Sequence, residues 1–101
     1  MRVIVSPTAE AHIRAIDAWW REHRSAAPDL FREEFAAALQ MLSAMPWIGK
    51  IHPHASEKGV RRVCLRATRY HIYYRSRADV LEIVAVWSSI RGAGPDLARI
   101  S

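Results

Sequence analysis

"GVRRVCLRATRYHIYYRSR", residues 59–77, runs directly into "ADVLEIVAVWS", residues 78–88. Three pieces of this stretch, "VRRVCLRA", "YHIYYRS" and "VLEIVAVWS", are rich in β-branched and aromatic residues and are parted by short turn-like pieces. That is the pattern of three consecutive strands in a meander. The first 19 residues of the stretch carry six arginines and three tyrosines and no carboxylate. The last strand has few polar positions and reads as the most buried.

Working toward the N-terminus, "PWIGKIHPHASEKG" reads as a loop. Before it, Phe31, Phe35, Ala38, Leu42 and Met45 recur on one helical face until Pro46, which cannot extend a helix. Pro28 stands at a first-turn position of that helix, with Asp29 favoured beside it by the macrodipole. From Thr8 to about Arg24, Ala9, Ile13, Ile16 and Trp20 mark an earlier helix, opened by the cap pair Ser6-Pro7. Trp19 and Trp20 are adjacent, so one enters the core and the other points away. "RVIV" at the N-terminus is a further short strand. The tail "IRGAGPDLARIS" loosens through two glycines and a proline, with room for one helical turn.

The order strand, helix, helix, strand, strand, strand predicts an α+β sandwich of two layers, a helical hairpin packed on a mainly antiparallel four-stranded sheet. Residues 1–101 make one domain, long enough for a core without metal or disulfide help. Half of the residues are hydrophobic and a quarter are charged, the balance of a globular chain, and no apolar run is long enough to span a bilayer. No export signal opens the sequence, which sets the expectation of a cytoplasmic protein. Cys64 is the single cysteine and reads as packing. His52 and His54 lack a third ligand at metal spacing, so neither a metal nor a cofactor is expected.

The formal charge of +5 and a pI near 10.1 draw anionic partners. Alternation along the strands puts Arg62 and Arg66, with His71, Tyr73 and Arg75, on the sheet face away from the helices, and Trp87 and Arg91 at its end. Tyr70, Ile72 and Tyr74 alternate toward the helices. A solvated sheet face is the plain alternative to a binding face, and a single-strand nucleic-acid platform is a third reading, with Tyr73 as its one stacking ring.

Pro46 closing the second helix, "RYHIYYR" on the third strand and "EIVAVWSSIRGAGP" at the end resemble the RelE/ParE toxins of bacterial type II toxin–antitoxin pairs, over nearly the whole chain. The resemblance implies the sandwich derived above and an acidic, ParD-like antitoxin whose extended segment wraps the toxin. It implies poisoning of either translation or DNA gyrase. The mRNA-cleaving members carry several cations and a tail tyrosine on the open face. Here two alternate basic positions fall on Arg62 and Cys64, one arginine position falls on His71 and another on Arg91, and the tail tyrosine falls near Leu97. The nuclease set is incomplete, so the sequence is closer to the ParE branch. The expectation is a gyrase inhibitor with no catalytic residues, and Arg62, Arg66, His71, Tyr73, Arg75, Trp87 and Arg91 as the surface for target and antitoxin. The runner-up is a metal-independent endoribonuclease with His71 as acid or base.

Overall fold

The computed structural model describes residues 1–52 and 59–90. Its elements are β1 (Arg2–Val5), α1 (Pro7–His23), α2 (Leu30–Ala44), β2 (Lys50–Ile51), β3 (Arg61–Leu65), β4 (Tyr70–Arg77) and β5 (Val80–Ser88). The strands lie in the order β1-β5-β4-β3-β2, with β1 parallel to β5 and the other neighbours antiparallel. The two helices pack on one face of this sheet, which is the expected α+β sandwich with one strand more than four.

Ser6 makes the corner between β1 and α1. Its N–H bonds the Ile83 carbonyl at 3.0 Å. Its Oγ accepts the Ala9 N–H at 3.1 Å and donates to the Val84 carbonyl at 3.3 Å. One buried residue therefore caps the helix and closes the strand edge beside it. Pro7 follows at the first helical position, where its missing N–H costs nothing. Trp20 is buried at 8% exposure and Trp19 is 40% exposed, the division that adjacent positions on a helix require.

The second helix starts later than its sequence suggests. Pro28 lies in the preceding turn, and Asp29 takes the cap position without making a side-chain cap bond. Its carboxylate is already engaged by Arg21 Nη2 at 2.6 Å. Arg21 Nε also reaches Asp17 Oδ2 at 3.2 Å, and Arg32 Nη2 reaches the same oxygen at 2.7 Å. Burial pushes the Asp17 carboxyl up, but the hydrogen bonds and charges of Arg21 and Arg32 outweigh it and hold the group below its ordinary value. This exposed network ties the helical hairpin together. At the other end α2 stops at Ala44, and Met45 caps it 37% exposed instead of joining the buried face.

The short strand β2 lies inside the segment expected to be loop. Lys50 pairs with Arg62 and Ile51 with Arg61. A two-residue ladder leaves no periodicity to read, and side chains from elsewhere hold it. Tyr74 Oη donates to the Pro46 carbonyl at 2.9 Å and accepts the Gly49 N–H at 2.8 Å. Arg61 Nη1 donates to the carbonyls of Trp47 and Gly49 at 3.2 and 2.8 Å. A Cβ at Gly49 would stand 2.5 Å from the Tyr74 oxygen, so only glycine fits.

Two further devices fix the sheet. Glu34 of α2 accepts the N–H groups of Ala67 and Thr68 and the Thr68 hydroxyl, at 2.8, 3.0 and 2.6 Å, and so latches α2 onto the β3–β4 turn. A register shift opposite Tyr73 and Tyr74 makes Val84 the extra residue of β5. Ile83 and Val86 then face the helices, with Phe31, Leu42, Ile72 and Tyr74. Val84 and Ala85 join Tyr73 in a second small cluster on the opposite face. The expected helical turn in the tail and the position of His54 fall outside the described residues.

Replacing Tyr74 with Phe strands the Gly49 N–H and one hydrogen bond to Pro46. It is expected to cost about 1–3 kcal/mol, the range for a buried group left unpaired, read as a lower urea midpoint with unchanged slope. Gly49→Ala should also destabilise, through the clash with the same phenol.

Candidate functional site

The face away from the helices is built from β3, β4 and β5. In register, Arg62 stands opposite Tyr73 and Cys64 opposite His71, while His71 stands opposite Trp87 and Tyr73 opposite Ala85. Directly opposed residues point to the same side, so Arg62, Cys64, His71, Tyr73 and Trp87 share this face. Tyr73 is its centre and is only 3% exposed. His52 and His71 present their rings edge-on to it, at 5.3 and 6.1 Å between centroids.

The charge of this face is smaller than the count of arginines suggests. Arg75 is paired with its cross-strand partner Glu82 at 2.6 Å, with 11% of its side chain exposed. His71 is held below its ordinary value by burial first, then by the charge of Arg62 and by His52, so it is neutral at pH 7. Arg66 lies past the end of β3, exposed in the β3–β4 turn. Arg91 is outside the described residues. Cys64, expected to pack, is exposed, because the second cluster on this face gathers around Tyr73 and Val60 and does not reach it. Burial of Tyr73 also removes the ring that a single-strand platform would use for stacking. Among the described residues no group of three His, Cys, Asp or Glu could hold a metal ion.

Trp87 reaches from this face to α1, where its ring meets His12 edge-on at 5.3 Å. The contact follows from strand lengths. β1 ends at Val5, opposite Ile83, so from Val84 onward the edge of β5 away from β4 has no strand beside it. α1 fills the gap through Ser6 and through His12, whose Nδ1 accepts the Val86 N–H at 3.2 Å. Burial holds the His12 imidazole below its ordinary value, in keeping with a nitrogen that must stay unprotonated to accept. Beyond His12 the edge is open, and a groove of about 490 Å³ lies there, walled by Ile16, Trp19 and Tyr70 and floored by Val86 and Ser88, with Trp87 and Ile90 at its end.

Sequence reasoning passed over His12, and it weighed His52 only as a metal ligand, not as a neighbour of Tyr73. His12 stands one turn before Ile16 on the apolar side of α1, a signal that was present. His52 joins the site through a loop, where spacing carries no information.

These features define a small sandwich with a mixed cationic and aromatic sheet face and an apolar groove, a protein shaped to bind partners. The family model described as "ParE toxin of type II toxin-antitoxin system, parDE" matches residues 3–91, and the chain belongs to this family. A solved structure titled "Chromosomal ParDE TA system from P. aeruginosa" contains a similar fold, with a TM-score of 0.69 at 17% identity over 87% of this chain and 95% of that one. No curated protein matches the chain. It is a ParE toxin of a type II toxin–antitoxin system.

Both His12 and His71 have lowered values in the folded state, so the unfolded chain takes up protons first as pH falls below about 6.5. Stability from these two groups is complete above that pH and declines below it. Melting curves at pH 7.5 and 5.5 should show a drop in Tm that is smaller in a His12→Gln, His71→Gln double variant. An equal drop in both would rule these histidines out.

Proposed function

We propose that this toxin is a cytoplasmic, single-domain inhibitor of DNA gyrase that is silenced by direct binding of a cognate acidic antitoxin. The observation that carries the choice of target is the state of the open face. Cleavage of RNA without a metal needs several cations around the scissile phosphate and groups to move protons. Here Cys64 stands where a second cation would be needed, His71 is neutral at pH 7, and Arg75 is already paired with Glu82. Among the described residues, Arg62 is the cation left beside Tyr73. A guanidinium lost from a preorganised site typically removes about a hundredfold or more in rate. A stoichiometric mechanism needs no such set: the cationic face and the tail, with Arg91 at its root, engage the topoisomerase and trap its cleaved DNA.

The second reading, ribosome-dependent mRNA cleavage, draws on the two imidazoles that flank Tyr73 next to Arg62. Such a pair could exchange protons with a substrate.

The antitoxin fits the groove between α1 and β5. An extended apolar segment would place side chains against Ile16 and Trp19 and extend the sheet at the open edge of β5. Its carboxylates would meet Arg62 and Arg66, and the other residues of the open face, His71, Arg75 and Trp87 around the buried Tyr73, border the same path. Arg62 is half-buried, so Arg62→Ala is expected to cost about 2–5 kcal/mol of antitoxin affinity, whereas Arg66→Ala at the exposed rim costs far less.

Induced expression of the chain in a bacterial host should arrest growth, with filamentous cells, DNA-damage signalling and intact bulk mRNA. Co-expression of the acidic protein from an adjacent reading frame should restore growth and so identify the antitoxin. Codon-specific cuts in mRNA without filamentation would favour the second reading.

A further inference from the structure

The sheet edge farthest from the groove carries a second apolar surface. Within seven residues of chain, Met45 is 37%, Trp47 65%, Ile48 46% and Ile51 53% exposed. Single exposed apolar residues are ordinary, but four of them together on one edge mark a contact surface. Their backbone is held from beneath by the Tyr74 phenol and the Arg61 guanidinium, through bonds to Pro46, Trp47 and Gly49. A buried phenol and a partly buried guanidinium thus fix a turn whose two largest side chains are exposed to water. A knob already held in its bound shape loses little conformational entropy when it docks.

The surroundings state the charge of the partner. Lys50 lies in β2 beside the knob and Arg61 pairs with Ile51 in register, so two cations flank it in a chain of formal charge +5. The shape states its folding. A convex Trp-Ile knob needs a pocket, which a folded protein surface offers and an extended peptide does not, while the groove between α1 and β5 is the concave site that suits a peptide. The two surfaces lie at opposite sides of the sheet, β2 being the last strand in one direction and β1–β5 lying at the other.

We propose that Trp47 and Ile48, rimmed by Lys50 and Arg61, are the docking element by which this toxin grips a pocket on an acidic, folded target, separate from the surface that receives the antitoxin. The proposal rests on the toxin reading given above and adds to the cationic face and tail an apolar anchor for the same target. Trp47 is the anchor, Ile48 completes the apolar contact, and Lys50 sets orientation by pairing with a carboxylate at the pocket rim.

The test compares the wild-type chain with a Trp47→Ala, Ile48→Ala double variant and with Lys50→Glu, all with side chains at the surface. Binding to purified DNA gyrase holoenzyme, binding to the antitoxin identified by growth rescue, and growth arrest on induction are measured for each. The expected result is gyrase binding weakened at least about tenfold in the double variant, with arrest lost and antitoxin affinity kept within about twofold. Lys50→Glu should weaken gyrase binding in the same direction and serves if the double variant does not fold. Unchanged gyrase binding and arrest would overturn the proposal, as would a fall in antitoxin affinity instead, or a wild-type dimer in sedimentation that the double variant dissolves. A wild-type chain that arrests growth without binding gyrase overturns the choice of gyrase alone. Arrest then decides the knob: lost in the variants it supports the knob, retained it overturns it.

Discussion

An open strand edge at Val84 is the constraint around which this molecule is arranged. β5 is bonded to β4 along its whole length but to β1 only as far as Ile83. Backbone groups left there without partners would cost free energy comparable to lost hydrogen bonds. α1 answers with two side chains, the Ser6 hydroxyl on the Val84 carbonyl and the His12 ring on the Val86 N–H. That pairing fixes where α1 lies on the sheet, and the Asp17–Arg21–Arg32 network then sets α2 beside it. Where the side chains stop, at Ser88, the edge opens into the groove. The groove proposed for the antitoxin is the unfinished end of a structural seam.

The opposite face follows a different economy. The extra residue Val84 turns both itself and Ala85 toward Tyr73, so a face that alternation alone would make polar acquires an apolar centre. Around that centre stand Arg62, His71 and His52, and the pairing of Arg75 with Glu82 keeps its charge close to neutral at one side. The proposed role as a stoichiometric inhibitor draws on this balance, since a face whose described residues set Arg62 beside a buried tyrosine serves recognition better than phosphoryl transfer.

Much of this was legible in the sequence, for identifiable reasons. The Ser6-Pro7 cap, the stripe of Ile13, Ile16 and Trp20 and the alternation of Tyr70, Ile72 and Tyr74 are local patterns, and each produced the element it predicted. What was not legible depends on distant partners. β2 exists because Tyr74 and Arg61 hold it, Asp29 makes no side-chain cap on α2 while Arg21 occupies its carboxylate, and Tyr73 is buried beside a bulge on the neighbouring strand. The same holds for the site. The positions of Arg62, His71 and Trp87 on one face came from alternation, whereas the pairing of Arg75, the exposure of Cys64 and the inclusion of His52 required the register between strands.

The central claim, inhibition of gyrase by occupancy and not by turnover, is tested most directly by titrating the purified chain into a gyrase supercoiling reaction on relaxed plasmid. The account predicts that supercoiling falls and cleaved DNA accumulates in proportion to the molar ratio of chain to enzyme, reaching a plateau near stoichiometric amounts. Undisturbed supercoiling by a chain that cuts ribosome-bound mRNA, with the cutting abolished in a His71→Ala, Cys64→Ala variant, would contradict it.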